Sequence, residues 1–377
     1  MRVALLTYST KPRGGVVHTL NLAEALTDLG VQVTVWSLAR GGDEGFFRTV
    51  DGRVRLRLVP FADVPDEPVA DRIVRSIEAL RDNFSAAEYD VVHAQDCISA
   101  NAVGPCVRTI HHLDHFTTPV LAQCHERAIR TPYARICVSR AVAEEVRAGW
   151  GFAPTVIPNG VRAERFAAAA ASTPRAAADR QRWRDRLGPY ILAVGGIEPR
   201  KGSIDLLEAY RLLRRRRPDL SLVFAGGETL FDYRDYRAEF ERRRAEFGLE
   251  PIVLGSVPDD DLPALVAACD VFAFPSVREG FGLAAMEALA ARRPVVARDL
   301  PVLREVFGDT VGYAADVADL ADRLADALAA DSARAATGFA LAAAHTWDAA
   351  ARAHLDFYRS HSLSAPSETT AAPDRRR

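Results

Sequence analysis

With 377 residues the chain is long for a single hydrophobic core, so two domains are expected. Its 49% apolar and 26% charged residues describe a globular chain, and 48 Lys+Arg against 50 Asp+Glu leave a net charge of −2, too little for a general nucleic-acid field. Five scattered cysteines (Cys97, Cys106, Cys124, Cys137 and Cys269) contain no Cys-x-x-Cys, which argues against a zinc site and for a reducing compartment.

Val3 to Thr7 reads as a buried strand, and Met1 to Tyr8 is too short and strand-like for a signal peptide. Thr10-Lys-Pro-Arg-Gly14-Gly15 is a glycine loop. Val16, Leu20, Ala23 and Leu26 mark a helix that stops at Gly30, and Val31, Val33 and Val35 alternate in a second strand. This βαβ opening places its loop at the C-terminal end of a strand, where open α/β sheets bind ligands. Gly14 would serve a plain tight turn equally well; Gly15 is the expected contact. Further strands are predicted over 54–59, 89–93, 107–110 and 136–139, with helical patterns between most of them, the mark of a parallel doubly wound sheet. The Ala- and Arg-rich stretch over 163–188, with Ser172-Thr173-Pro174 inside it, reads as a connection with a helix in its second half. A second set of βα units starts at Tyr190 to Val194 and continues through strands over 222–225, 252–254, 271–274 and 295–297. Val317 to Tyr358 is helix-prone, and the tail over 362–377 is poor in apolar residues and reads as disordered. No apolar run is long enough to span a bilayer, so the expected location is cytoplasmic.

The most informative stretch is Pro275-Ser-Val-Arg-Glu279-Gly280-Phe281-Gly282-Leu283-Ala-Ala-Met-Glu287. A strand ends at Pro275, a glycine turn follows, and Leu283, Met286, Leu289 and Ala290 recur at helical spacing. A helix start offers unpaired N–H groups and a positive dipole end, a natural seat for phosphate. Glu287, inside that helix, can accept hydrogen bonds from the hydroxyls of a ribose whose diphosphate meets the turn.

Glu279 and Glu287 make a Glu-x7-Glu pattern that resembles retaining glycosyltransferases of the two-domain GT-B type, specifically glycosyltransferase family four, also called the glycosyl transferases of group 1. The likeness extends over nearly the whole chain. It implies an α/β fold with two Rossmann-like doubly wound parallel-sheet domains facing a cleft. The acceptor-side domain is expected over 1–165, a linker over 166–187 and the nucleotide-sugar-binding domain over 188–345. A helix over 346–361 would cross back to the first domain. It also places the Gly15 loop and the turn at Asn159-Gly160-Val161 in familiar positions.

Gly195-Gly196-Ile-Glu-Pro-Arg200-Lys201-Gly202 follows the first strand of the second half. Its glycines permit close backbone approach, and Arg200 and Lys201 can neutralise a diphosphate. Most of the resembling family carries an arginine where this chain has Gly196; Lys201 keeps its place, and Arg200 is the expected replacement charge. Thr109-Ile-His111-His112-Leu-Asp114 ends a first-half strand, and the resemblance implies a histidine facing the transferred sugar. His111 aligns best, His112 is the alternative, and His18 and His93 are taken as structural. Gly255-Ser-Val257 matches the segment beside the nucleobase, with contact through backbone near Val257. Asp259-Asp260-Asp261 imitates the Asp-x-Asp of metal-using transferases, but it precedes a helical stripe at Leu262, Leu265, Val266 and Cys269, where capping is the simpler role. Arg214 to Arg217 could touch anionic lipid, yet the run ends a helical pattern where arginine suits the dipole. Arg292 and Arg298 stand where the family often has glycine and serine, and could alter which donor fits.

The resemblance therefore implies a retaining, hexosyltransferase-like enzyme, and the capping role of the acidic triplet adds the expectation that it is metal-independent. Its catalytic set is His111, Glu279, Lys201 and Arg200. Its substrate contacts are Gly15, Gly196, Val257, Gly280, Phe281, Gly282, Leu283 and Glu287. The donor is a nucleoside-diphosphate sugar, the acceptor a small molecule, glycan or lipid, with no cofactor, metal or nucleic acid. Three rivals remain at this point: an NAD-dependent oxidoreductase, since Gly280-Phe-Gly282-Leu-Ala-Ala285 fits a dinucleotide fingerprint with Asp299 downstream, a sugar-nucleotide epimerase, and a non-catalytic binder of the same fold.

Overall fold

The computed structural model describes residues 1–114, 116, 118–227, 233–329 and 333–362. The opening forms as its hydrophobic spacing dictates. β1 (Arg2–Leu6) is buried after its first residue, α1 (Gly14–Asp28) turns Val16, Leu20, Ala23 and Leu26 inward, and β2 (Gln32–Arg40) follows. Then come β3 (Arg55–Phe61), α2 (Val69–Asn83), β4 (Val91–Ala94), α3 (Cys97–Val103), β5 (Val107–Ile110), α4 (Pro119–Arg130), β6 (Ala134–Cys137), α5 (Arg140–Trp150) and β7 (Thr155–Val156). They build a seven-stranded parallel sheet in the order β3-β2-β1-β4-β5-β6-β7.

After α6 (Ala163–Ala170) and α7 (Pro174–Leu187) the second sheet begins with β8 (Tyr190–Val194). It continues through α8 (Ser203–Arg214), β9 (Ser221–Ala225), α9 (Arg234–Glu246), β10 (Ile252–Val253), α10 (Leu262–Ala268), β11 (Val271–Phe274), α11 (Leu283–Ala290), β12 (Val295–Arg298), α12 (Pro301–Phe307) and β13 (Gly312–Ala314). Its six parallel strands run in the order β10-β9-β8-β11-β12-β13. Each sheet thus reverses its direction of growth once, between β1 and β4 and between β8 and β11, and such switch points open crevices at the strand ends.

The connection is more ordered than its sequence suggests. Both halves are helical: the alanine run of α6 has high helix propensity, and Phe166 and Leu187 bury against Leu265 and Val266 of the second core. Thr173 caps α7, its Oγ1 accepting from Ala176 N at 3.3 Å, with Pro174 in the first turn. Among the described residues the helix-prone stretch after β13 holds α13 (Val317–Ala329), α14 (Ala333–Ala344) and α15 (Trp347–Ser362). α15 returns to the first sheet. Trp347, Ala351, Leu355 and Tyr358 share a core with Val16, Leu20 and Val91, and the Tyr358 hydroxyl meets His93 Nδ1 at 2.7 Å. The predicted disordered tail lies, from residue 363 on, outside the described residues. Elsewhere the halves are joined by Glu305 of α12, whose two carboxylate oxygens accept from Arg140 N and Ala141 N at the start of α5, each at 2.8 Å.

Candidate active site

The loops leaving β1, β4 and β5 face those leaving β8, β9 and β11 across a cavity of about 670 Å³. All twelve residues singled out above line it: Gly15, His111, Gly196, Arg200, Lys201, Val257, Glu279, Gly280, Phe281, Gly282, Leu283 and Glu287. α11 begins at Leu283, where the glycine turn predicts it. Leu283 and Ala284 line the cavity, and first-turn N–H groups have no carbonyl of their own helix to meet, so the positive end of the helix opens inward.

The turn before α11 carries Glu279 against the β8 loop. Its Oε1 accepts from Lys201 Nζ at 2.6 Å and from Arg200 Nη1 at 3.0 Å. Arg200 Nη2 also donates to Glu198 Oε1 at 3.1 Å. Burial opposes ionisation of Glu279, but Lys201 and Arg200 outweigh it and hold the carboxyl at about 2. Burial and the neighbouring Arg200 draw the Lys201 ammonium downward, while Glu279 pulls the other way. A guanidinium therefore stands in the site although Gly196 supplies none.

Glu287 has the opposite surroundings. No hydrogen bond or ion pair reaches its carboxyl among the described residues, and burial pushes it up to about 8, with Asp259 adding to the rise and Arg165 opposing it. Arg165 is already engaged, its Nη1 lying 2.7 Å from Asp259 Oδ2. That pair corrects the expected role of the acidic triplet. Asp261 occupies the cap position of α10 in the right-handed helical region and makes no side-chain cap hydrogen bond, and Asp259 is paired with Arg165.

On the first-domain wall the two candidate histidines part company. His111 lies against the first turn of α1, which takes in both glycines of the expected loop: a Cβ on Gly15 would sit 3.6 Å from its Cδ2, an ordinary contact, whereas Gly14 faces open space. His112 turns to Asp114, with Nε2 to Oδ2 at 3.3 Å. Burial, then Arg108, keeps His111 well below the usual histidine range and so uncharged. Across the cleft, Gly280 packs onto the His111 carbonyl so closely that a Cβ would come within 1.6 Å of the oxygen. Only glycine lets the two walls meet there.

Three further cavity or near-cavity residues escaped the sequence reading. Glu198 sits in the same loop as Arg200 and pairs with it, a position that spacing alone could have flagged. Arg165 lay inside the presumed connection. His18, taken as structural, packs directly on His111 with ring centres 4.7 Å apart. His93 bridges Thr109 Oγ1 and the Tyr358 hydroxyl, both at 2.7 Å, as a buried core histidine should. The two arginine departures do not line the cavity. Arg298 bonds Asp205 and the Pro275 carbonyl, and Arg292 lies 4.2 Å over the Phe339 ring. Asp299 pairs with Arg304 at 2.5 Å, also outside the cavity. In the basic run, Arg216 and Arg217 meet Asp322 and Asp219 at 2.8 and 3.1 Å. No helix among the described residues is long and apolar enough to cross a membrane.

Two parallel doubly wound sheets that share one cavity at their switch points define the GT-B architecture. Residues 12–165 match the model for glycosyltransferase family 4, and residues 177–339 match that for the glycosyl transferases of group 1. A D-inositol 3-phosphate glycosyltransferase of Xylanimonas cellulosilytica is 30% identical, covering 95% of this chain and 96% of its own. A phosphatidyl-myo-inositol mannosyltransferase of Mycobacterium leprae is 30% identical over 88% and 87% respectively. Among solved structures, a sucrose-phosphate synthase of Thermosynechococcus elongatus superposes with a TM-score of 0.77 at 20% identity, covering 97% of this chain and 100% of that one. Anabaena HepE, solved in complex with UDP-glucose, gives 0.72 at 20% identity, covering 96% and 100%. The chain belongs to glycosyltransferase family 4, and is a glycosyltransferase of group 1.

Proposed function

We propose that this chain transfers a hexosyl group from a nucleoside-diphosphate sugar to an acceptor hydroxyl, with retention of anomeric configuration and without a metal ion or cofactor. The observation that carries the reading is one cavity holding an inward helix start, a Lys201–Arg200–Glu279 cluster and, eight residues along, the unpaired Glu287. The diphosphate sits at the start of α11, where Lys201 and Arg200 offset the charge that develops as it leaves. Glu279 holds those two cations in place and meets the donor sugar. Glu287 accepts from ribose hydroxyls, Val257 borders the base through its backbone, and His111 faces the sugar from the other wall. Among the described residues no side chain at the site is a convincing covalent nucleophile, which favours attack on the face the nucleotide leaves. Asp259 is engaged by Arg165, which speaks against metal use at the acidic triplet.

Residues 1–165 form the acceptor side and 188–345 the donor side in this reading, with 346–361 tying them together. Two relatives named for inositol-containing acceptors favour a hydroxyl on a sugar-like or cyclitol ring, free or in a glycan or lipid. Five free cysteines fit action in the cytoplasm. Calorimetric titration with UDP, GDP and ADP sugars and with NAD tests the whole. A nucleoside-diphosphate sugar binds and NAD does not; binding of NAD alone overturns the reading.

A further inference from the structure

We propose that His18 is a positioning residue for His111, and that it carries to His111 the placement of the crossing between the two domains. The part His111 takes in transfer rests on the reading above; the packing that fixes its ring does not.

The His111 imidazole is held by contact rather than by hydrogen bonds. Its Nε2 is buried with no partner among the described residues. Gly15 borders one edge, and His18 meets it edge-on, with ring centres 4.7 Å apart and planes at 75°. That is a favourable T-shaped arrangement of aromatic rings. His18 is 1% exposed, in the second turn of α1. Burial keeps it well below the usual histidine range, and His111 and His354 push it further, so uncharged rings pack without like-charge repulsion.

His18 is in turn fixed by the interdomain crossing. Its Nδ1 lies 2.9 Å from Asn159 Oδ1, and the rings of Trp347 and His354 on α15 stand 5.4 and 5.9 Å from its own. Asn159 belongs to the turn by which the chain leaves the first sheet. Its neighbour Gly160 lies so near the start of α15 that a Cβ would come within 2.4 Å of Trp347 N. Val161 N donates to His345 O at 2.7 Å. The outgoing and returning segments of the crossing are thus locked to one another, and together they enclose His18. Any shift of the crossing as the cleft opens or closes moves Asn159 and Trp347, through them His18, and through His18 the ring beside the cavity. A displacement on the order of 1 Å at a catalytic group can change a rate about a hundredfold.

The test uses the full chain labelled with 13C at histidine Cε1. The His111 resonance is assigned by its disappearance in His111→Gln. In the unliganded protein it shifts in His18→Leu, which removes the ring, and in Asn159→Ala, which keeps the ring but frees it. With a sugar nucleotide that binds, kcat falls at least tenfold in His18→Leu while donor Kd stays within twofold, and His18→Phe restores most of kcat by restoring an edge-on ring. An unmoved His111 resonance in both variants overturns the proposal. So does an equal loss in His18→Phe and His18→Leu, or a fall in kcat matched by the loss of donor affinity. Should His18→Leu fail to fold, Asn159→Ala decides by the same measurements. If no sugar nucleotide binds the wild type, the transferase reading fails, yet the resonance still settles whether His18 positions His111.

Discussion

Glu279 and Glu287 are the same residue type, eight positions apart, in one motif and one cavity, and they are chemical opposites. Glu279 sits between two cations and stays ionised down to about 2. Among the described residues Glu287 has no cation of its own, Arg165 being bound to Asp259, and burial raises it to about 8. The difference separates two tasks. In the proposed reaction, a carboxylate clamped by Lys201 and Arg200 organises charge for a leaving diphosphate. A carboxyl that holds its proton until a ligand arrives can respond to hydroxyl donors.

The largest effect expected is at the Glu279 end. Lys201→Ala lowers kcat about a hundredfold, on the order of 3 kcal/mol in the transition state, while a thermal melt stays cooperative. Wild-type turnover in that variant would reduce the Lys201–Glu279 pair to a structural contact and erase the contrast. Next comes the other end: Glu287→Ala weakens binding of the sugar nucleotide or its diphosphate product by roughly 1–3 kcal/mol, and Asp299→Ala leaves it unchanged. Titration of both variants measures this, and the reverse pattern would hand the ribose to Asp299.

A smaller effect sharpens the comparison through pH. The folded protein keeps the Glu287 proton up to about 8, whereas the unfolded chain releases it in the ordinary carboxylate range. Between those limits the native state binds more protons, so stability falls as pH rises. Melts of Glu287→Gln between about pH 5 and 8 flatten that decline. Hydroxyls donating to Glu287 favour its ionised form, so sugar-nucleotide binding near neutral pH releases a proton. Calorimetry in buffers of different ionisation enthalpy detects the release, and Glu287→Gln abolishes it. The smallest effect is none: a chelator leaves turnover unchanged, and loss restored by magnesium or manganese would break the assignment of positive charge to Lys201 and Arg200.

Most of the fold was legible because its strands are apolar runs between glycine turns, as at Val3 to Thr7 and Tyr190 to Val194. Short strands such as Thr155–Val156 and Gly312–Ala314 escaped, being two and three residues long and held by neighbours rather than by their own pattern. α6 was missed because a run of alanines beside Ser-Thr-Pro looks like a spacer until Phe166 finds its core. In the site, residues carried by contiguous motifs could be named, since a motif fixes them to one turn. Charge states could not: whether Glu287 is paired depends on Arg165, more than a hundred residues earlier, and on its competing partner Asp259. His18 was unreadable for a similar reason, because its neighbours Asn159 and Trp347 come from two distant segments.

The docking of α15 sets the order in which the molecule can be completed during synthesis. The first sheet emerges from the ribosome early, but part of its core is made of Trp347, Leu355, Phe357 and Tyr358. Each such side chain is worth about 1.5–3 kcal/mol when fully buried. Until those residues are translated, the nascent first domain exposes an apolar groove along α1, the kind of surface that chaperones hold and that promotes misassembly. Residues 1–165 produced alone should therefore be aggregation-prone, and a peptide spanning 346–362 supplied in trans should rescue their solubility.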